Sequence, residues 1–316
     1  MKKIYLKLAG IFCCLSMIFA LCACSVRNIG YGIDVRGEGE VITQEYEVNG
    51  NRLSVKDIHV KQGTRTYQAD IVLCGGTEKK VTISAQEPLL SHFTVKEANG
   101  TISICGKATE NYVTESVTVG IYGYTFDTVS LSCVRGTMEE GVIGENGTLY
   151  LSGASEIVVD TLNKKSFNAD VSGASKLTVG TFSVESLELD LSGASFATAD
   201  RMTCAEAEIE LSGASNVSCS DATISSLELE ASGASRVTLT GKGTEVKADL
   251  NGASDAKLGA FETQTMRISL SGASDANVYV AKTLTVSASG ASSLVYHGDC
   301  ALIENSVSGG SSVKKG

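Results

Sequence analysis

The sequence predicts an all-β chain wound into a parallel β-helix, and three observations lead there. First, a four-residue phrase, Ser-Gly-Ala-Ser or a close variant, recurs nine times. The copies are 152–155, 172–175, 192–195, 212–215, 232–235, 251–254, 271–274, 289–292 and 308–311, with Asn251 opening the sixth and Gly310 in place of alanine in the last. Successive phrase glycines are 20, 20, 20, 20, 19, 20, 18 and 19 residues apart, and a fixed period of this size means one supersecondary unit stacked on copies of itself. Second, apolar residues between phrases alternate at the strand period. After Ser155 they are Ile157, Val159, Leu162, Phe167, Ala169, Val171 and Ala174, and the same offsets recur after Ser175, Ser195 and Ser254. Third, a repeat this short cannot hold two helices, and its β-branched, alternating residues oppose them.

Each repeat reads as two short strands and a corner. Stacked rungs would lie about 4.8 Å apart, so nine would span roughly 40 Å. In the phrase, glycine supplies a positive φ, alanine fits a tight turn over the core, and the serines can bond backbone locally or stack as hydroxyl ladders.

Reading from the start, residues 1–23 form a leader. Lys2, Lys3 and Lys7 precede an apolar run from Ile11 to Leu21, too short to span a membrane comfortably. It ends Leu21-Cys22-Ala23-Cys24, which resembles a bacterial lipobox. That resemblance implies cleavage before Cys24, lipidation of Cys24, and an extracytoplasmic protein anchored to the bacterial cell membrane by two acyl chains. Residues 24–40 are expected to be the lipidated cysteine and a tether. The formal charge of −10 becomes about −13 once the leader lysines are lost, which excludes general affinity for nucleic acid.

Residues 41–131 read as an irregular β-rich segment that caps the first rung. Val55, Ile58 and Val60 mark one strand; Tyr67, Ala69, Ile71 and Leu73 another; Val81 with Ile83, Ile102 with Ile104, and Val117, Val119 with Ile121 three more. Asn49-Gly50 and Asn99-Gly100 are hairpin signals. The ladder proper occupies 132–311, with Ser132 opening a decayed rung, and 312–316 is a short tail. The open last rung predicts end-to-end self-association, with Lys314 and Lys315 blunting its edge. Of ten cysteines, six lie outside the leader and lipobox: Cys74, Cys105, Cys133, Cys204, Cys219 and Cys300. Their spacing fits no zinc motif. They read mostly as free, small apolar residues, with a Cys74–Cys105 bridge left open.

The arrangement resembles a known family. The carrying residues are Val41-Ile42-Thr43-Gln44, Val60-Lys61-Gln62-Gly63, Val81-Thr82-Ile83, Leu89-Leu90 and Gly100-Thr101-Ile102-Ser103-Ile104, followed by the phrase ladder. From about Arg36 to Ser311 the chain is similar to the putative auto-transporter adhesin head GIN domain family. The resemblance implies a right-handed β-helix and an extracytoplasmic location, and it brings no catalytic residues with it.

A search for chemistry yields one constellation. His59, His92 and His297 are not at ligand spacing, and no nucleotide or nucleophile motif appears. Outward positions of the second strand stack as two columns. One reads Asn168, Glu188, Glu208, Glu228, Lys247, Arg267, and the other Asp170, Asp190, Glu210, Glu230, Asp249, Ser269. Glu188, Asp190, Glu208, Glu210, Glu228 and Glu230 therefore cluster on three rungs. The bland reading is a solvated face that resists aggregation. The sharper one is a face for a cationic partner or weak Ca²⁺ binding, although flat strands rarely wrap six ligands around one ion. No resident metal or other cofactor is expected.

The function these features fit is a non-enzymatic, membrane-anchored binding or structural module of the envelope, with a glycan or protein ligand. The alternatives are a polysaccharide lyase or hydrolase on the same fold, or an accessory or sensor protein in envelope signalling. Rungs that vary by only a residue or two build no wall around a cleft, which disfavours the enzyme.

Overall fold

The computed structural model describes residues 33–316, the side chains of 304 and 305 aside. The expected leader, Cys24 and most of the expected tether lie outside the described residues. Ile33–Gly316 forms one compact unit.

The N-terminal region holds β1 (Ile33–Arg36), β2 (Val41–Tyr46), β3 (Arg52–Lys56), β4 (His59–Gln62), β5 (Arg65–Cys74), β6 (Lys80–Gln86), a one-turn helix α1 (Glu87–Leu90), β7 (Thr94–Ala98), β8 (Thr101–Cys105), β9 (Glu110–Val113) and β10 (Thr118–Tyr122). Then come β11 (Phe126–Ser132), β12 (Val134–Met138) and β13 (Ile143–Ser152). The ladder follows as β14 (Glu156–Val171), β15 (Lys176–Leu191), β16 (Phe196–Leu211), β17 (Asn216–Ala231), β18 (Arg236–Leu250), β19 (Asp255–Leu270) and β20 (Asp275–Ala288). It closes with β21 (Ser293–His297), β22 (Ala301–Val307) and β23 (Ser312–Lys315).

Each rung has three faces, where the sequence suggested two strands. Between β14 and β15 the parallel pairing lapses at Asp160 and again at Lys165. Burial alternates within each segment and skips phase between them, from Val159 to Leu162 and then to Phe167. The first face therefore follows the phrase, the second is the short middle segment, and the third leads into the next phrase. Inward residues of successive rungs pair directly, as in Leu177 with Ala197 with Val217, and form one apolar column. Burying each leucine-sized side chain contributes about 1.5–3 kcal/mol.

The phrase works differently from the reading in which alanine covered the core. Its last serine is the buried one, at most 1% exposed in all of the first eight copies, while the alanine faces outward. Burial of a hydroxyl needs a partner, and a local one exists. Ser195 donates to the Ser192 carbonyl at 2.9 Å, Ser235 to Ser232 at 2.7 Å and Ser274 to Ser271 at 2.7 Å. Glycine is required twice over. Gly193 has φ +77°, and a Cβ there would lie 2.6 Å from the Gly173 carbonyl oxygen. That carbonyl is already engaged, accepting the Ala194 N–H at 2.7 Å.

The decayed rung before the first phrase is present. Ser132 pairs with Ser152, and Cys133 holds the left-handed position at φ +58° where later rungs have glycine.

The N-terminal region extends the solenoid by strands taken out of sequence order. On the first face the order is β2–β6–β10–β5–β12–β14. On the third it is β7–β8–β3–β11–β13–β14. Antiparallel pairing of β2 with β6 and of β7 with β8 ends both stacks.

Several expectations are corrected. Asn99-Gly100 is a hairpin turn with both φ positive, but Asn49-Gly50 is not, since β2 and β3 pair elsewhere. Gly50 instead permits close packing, because a Cβ there would lie 2.7 Å from the Gly100 carbonyl oxygen. Val55 and Val60 belong to separate strands divided at Asp57, φ +60°. The tether ends early, since β1 pairs with β9 and Asp34 accepts bonds from Lys61 and Asn111. The tail is a strand, β23 on β21. Cys74 and Cys105 are both free thiols; they end strands on different faces and so do not meet.

At the C-terminal end, the pairing of β20 with β22 breaks register after Val286, and Lys315 bonds Asp299 at 3.0 Å. Bulges and edge lysines both discourage further strand pairing.

The corner geometry makes a paired prediction. Gly193→Ala should destabilise by at least about 2 kcal/mol, from left-handed strain and the clash with backbone. Cys133→Gly should stabilise by up to about 1 kcal/mol by removing the same strain. Urea midpoints of the two variants should move in opposite directions from the parent, and equal midpoints would remove the corner from its central place.

Candidate functional site

The third face of β15, β16 and β17 carries the carboxylate block. Outward residues there follow from the alternation, because Leu187, Leu189 and Leu191 point inward and leave Glu188 and Asp190 outside. Register then stacks them. Glu188 pairs with Glu208 and Asp190 with Glu210, and those in turn pair with Glu228 and Glu230. All six sequence-predicted residues are brought together on one surface. In the second column Asp170 precedes the three central carboxylates and Asp249 follows them. The exposed Tyr150 heads that column, paired with Asp170.

The ends of the first column are relieved, one by an uncharged hydrogen-bond donor and the other by a cation. The Asn168 amide donates to Glu188 at 2.6 Å, and the Lys247 ammonium bonds Glu228. The middle has no such relief. Partial burial, followed by the charges of Glu210, Glu188, Asp170 and Glu208, pushes the Asp190 carboxyl up to about 6. Burial and its four carboxylate neighbours raise Glu208 as well. A shallow groove of about 350 Å³ runs beside the block, lined by Asp170, Asp190, Glu210 and Glu230 on one side and by Ser192, Ser212 and Ser232 of the phrases on the other.

This surface can attract cations by its potential and by direct carboxylate bonds. It does not form a cage. Among the described residues no three His, Cys, Asp or Glu side chains converge so as to hold a metal ion, because the carboxylates run along a flat ladder. The expected weak Ca²⁺ binding therefore gains no coordination sphere here.

The histidines stand apart from the block. His92 bonds Glu110 at 2.7 Å, and Lys107 bonds the same carboxylate at 3.2 Å. Burial would raise the Glu110 carboxyl, but these two partners outweigh it and hold it low. Burial lowers the His59 imidazole. The thiols of Cys204 and Cys219 lie in the core, and burial pushes Cys204 up to about 12, as expected of small apolar residues without nucleophilic character. Sequence reasoning missed the His92–Glu110–Lys107 cluster: Lys107 and Glu110 are three residues apart, but His92 reaches them only because the segment after α1 packs on β9, where Phe93 meets Tyr112. It also missed a second groove on the first face near Gly259, signalled only by the 18-residue spacing from Gly272 to Gly290. Cys24 lies outside the described residues. Among those residues no helix is long and apolar enough to cross a membrane.

Comparisons with known proteins agree with this architecture. No curated protein matches the chain. A crystal structure of a putative adhesin from Parabacteroides distasonis ATCC 8503 superposes with TM-score 0.51 at 13% identity, covering 89% of this chain and 99% of that one. It supports the fold alone. A putative lipid binding protein from the same strain gives TM-score 0.46 at 13% identity, covering 89% and 99%. A putative adhesin from Parabacteroides merdae ATCC 43184 gives 0.42 at 14%, covering 90% and 99%. The family model described as putative auto-transporter adhesin, head GIN domain, matches residues 64–223 and 214–300. The two matches overlap over residues 214–223, in the middle of an unbroken ladder, and the expected stretches before residue 64 and after residue 300 fall outside them. Matched over most of its length, the chain belongs to the putative auto-transporter adhesin, head GIN domain family.

Proposed function

We propose that this chain is a non-catalytic binding module of the bacterial envelope, held at the membrane by lipid on Cys24, and that its third face receives a cationic partner. The carboxylate block carries the reading. Like charges opposite one another on a ladder destabilise it, and Glu188, Asp190, Glu208, Glu210, Glu228 and Glu230 are opposite one another on three consecutive rungs. Solubility calls for charge but favours mixed signs. A single-sign surface beside a groove raises the local concentration of counter-charged ligands and speeds their arrival. Membership of an adhesin family supports an extracellular or envelope location, and the lipobox resemblance at Leu21 to Cys24 supports the anchor. The description of the family as putative adhesins supports the non-catalytic reading.

The first test is retention of residues 25–316 on intact cell-wall material and on a resin bearing lysine oligomers. The parent should be retained on both. A variant with all six carboxylates changed to the matching amides should lose at least about tenfold in affinity, which is 1.4 kcal/mol. Retention should also fall as salt shortens the Debye length from about 10 Å at 0.1 M to about 3 Å at 1 M. Equal retention of parent and variant would move the contact off this face.

The raised Asp190 carboxyl predicts a pH dependence of stability. Its ordinary value is 3.8, and in the folded chain it is about 6. The folded state thus holds the proton more tightly than the unfolded one between these values, so stability rises as pH falls through that window. Above pH 6 the penalty is fully present; below about 4 both states are protonated and it vanishes. Asp190→Asn should therefore be the more stable form at pH 7, by a few tenths to about 1 kcal/mol after solvent screening. Denaturation curves at pH 7, 5 and 4 should show that advantage shrinking, and an advantage independent of pH would assign it to packing instead.

A further inference from the structure

A second concave surface arises where the period breaks. Gly272 to Gly290 spans 18 residues, whereas Gly252 to Gly272 spans 20, and the mismatch is absorbed by a large slip in β19 that a one-residue slip in β20, opposite Thr263 to Thr265, partly offsets. Leu258 pairs with Val278, and the next pair is Glu262 with Tyr279. Gly259, Ala260 and Phe261 of β19 thus have no opposite number in β20. Against β18 the same strand carries one extra residue, since Thr238 pairs with Lys257 and Thr240 with Ala260. Phe261 turns inward and is fully buried, so Gly259 and Ala260 form a lip on the first face. Bulges of this kind often re-aim side chains beside binding sites.

Beside the lip lies a groove of about 510 Å³, within the range of about 300–1,000 Å³ common for small-molecule sites. Ala260 and Val295 supply its accessible apolar side chains, with Leu239 and Ala276 buried beneath, together with the side chains of Asp255, Lys257, Asp275 and Asn277. A Cβ at residue 259 would lie 2.2 Å from the Asn277 Oδ1, so glycine there is what lets the amide close over the strand. Asp275 and Asn277 have no side-chain hydrogen-bond or ion-pair partner among the described residues. Lys257 is 3.8 Å from Asp255, a loose contact that leaves its donors available.

We propose that this groove binds a neutral oligosaccharide. Three polar side chains supply an acceptor (Asp275), a donor (Lys257) and a group that does both (Asn277), matching hydroxyls that donate and accept. Asp255, which also lines the groove, is already bonded by Arg236 at 3.0 Å, so Lys257 and Asp275 balance in charge, which distinguishes this face from the carboxylate block and favours an uncharged ligand. The apolar lining suits the C–H face of a sugar ring. An acyl chain would use that lining but would bury the polar groups unpaired, at a cost of roughly 1–3 kcal/mol for each. The proposal rests on the bulge and its neighbours, and it stands or falls independently of the cationic-partner reading.

The test is saturation-transfer NMR of the full chain titrated with cellotetraose, maltotetraose and tetra-N-acetylchitotetraose, with dodecanoate as an apolar probe. At least one tetrasaccharide should bind saturably. Asn277→Ala and Asp275→Ala should each weaken it by about tenfold or more, from the loss of a hydrogen bond to a buried ligand group. Glu210→Gln, on the other face, should leave it unchanged. Melting temperatures of all variants should match the parent, because these side chains are exposed. Failure of all three sugars to saturate, binding indifferent to both groove variants, or binding of dodecanoate alone would each overturn the proposal.

Discussion

The structure depends on one backbone conformation repeated at each corner. Stacking rungs in register places every corner directly over the one before, with the preceding glycine carbonyl accepting the next alanine N–H. That contact leaves no room for a side chain, and the turn itself demands positive φ. Only glycine satisfies both conditions. Once the corners are fixed, so is the number of residues between them, and the alternation of strand side chains then assigns every position to the core or to solvent. A shift of one residue would turn each apolar column outward. The buried final serine reinforces the corner by bonding a carbonyl three residues back, an interaction that never leaves its own rung.

Register that stacks leucine on leucine also stacks glutamate on glutamate. A solenoid cannot dilute a repeated surface residue as an ordinary fold does, because its copies are held at strand spacing. The first carboxylate column ends in Asn168 on one side and Lys247 on the other, each bonded to its neighbour. Its second column has aspartates at both ends instead. The unrelieved charge therefore falls on the central rungs, and it is there that Asp190 and Glu208 are displaced from ordinary carboxylate behaviour.

What was legible in the sequence was whatever the period controls. The rungs, the inward columns, the six stacked carboxylates and the decayed rung at Ser132 all follow from counting, since each partner lies one repeat away. The N-terminal region has no such rule. There β5 inserts between β12 and β10, and β3 between β11 and β8. Pairings that leap over intervening strands leave no local trace, so β1 looked like a tether although its partner begins at Glu110. The three-faced rung was half visible, since the skip from Val159 to Leu162 is written in the sequence. Which phrase residue faces the core was not, because serine and alanine are both small and only the hydrogen bond distinguishes them.

In a solenoid of constant repeats every face is flat, so a recognition surface can arise in two ways. Either a column acquires uniform chemistry, or the repeat length changes and the register has to slip. Both occur in this chain, on different faces: carboxylates in unbroken register on the third face, and a bulge from a shortened rung on the first. Because each rung touches only its neighbours, neither feature disturbs the corner glycines that hold the fold. Surface chemistry can therefore change rung by rung while the core columns stay intact. That separation explains how Phe196, Asn216 and Arg236 can occupy one outward column over an interior that, the phrase serines and Thr263 aside, remains apolar.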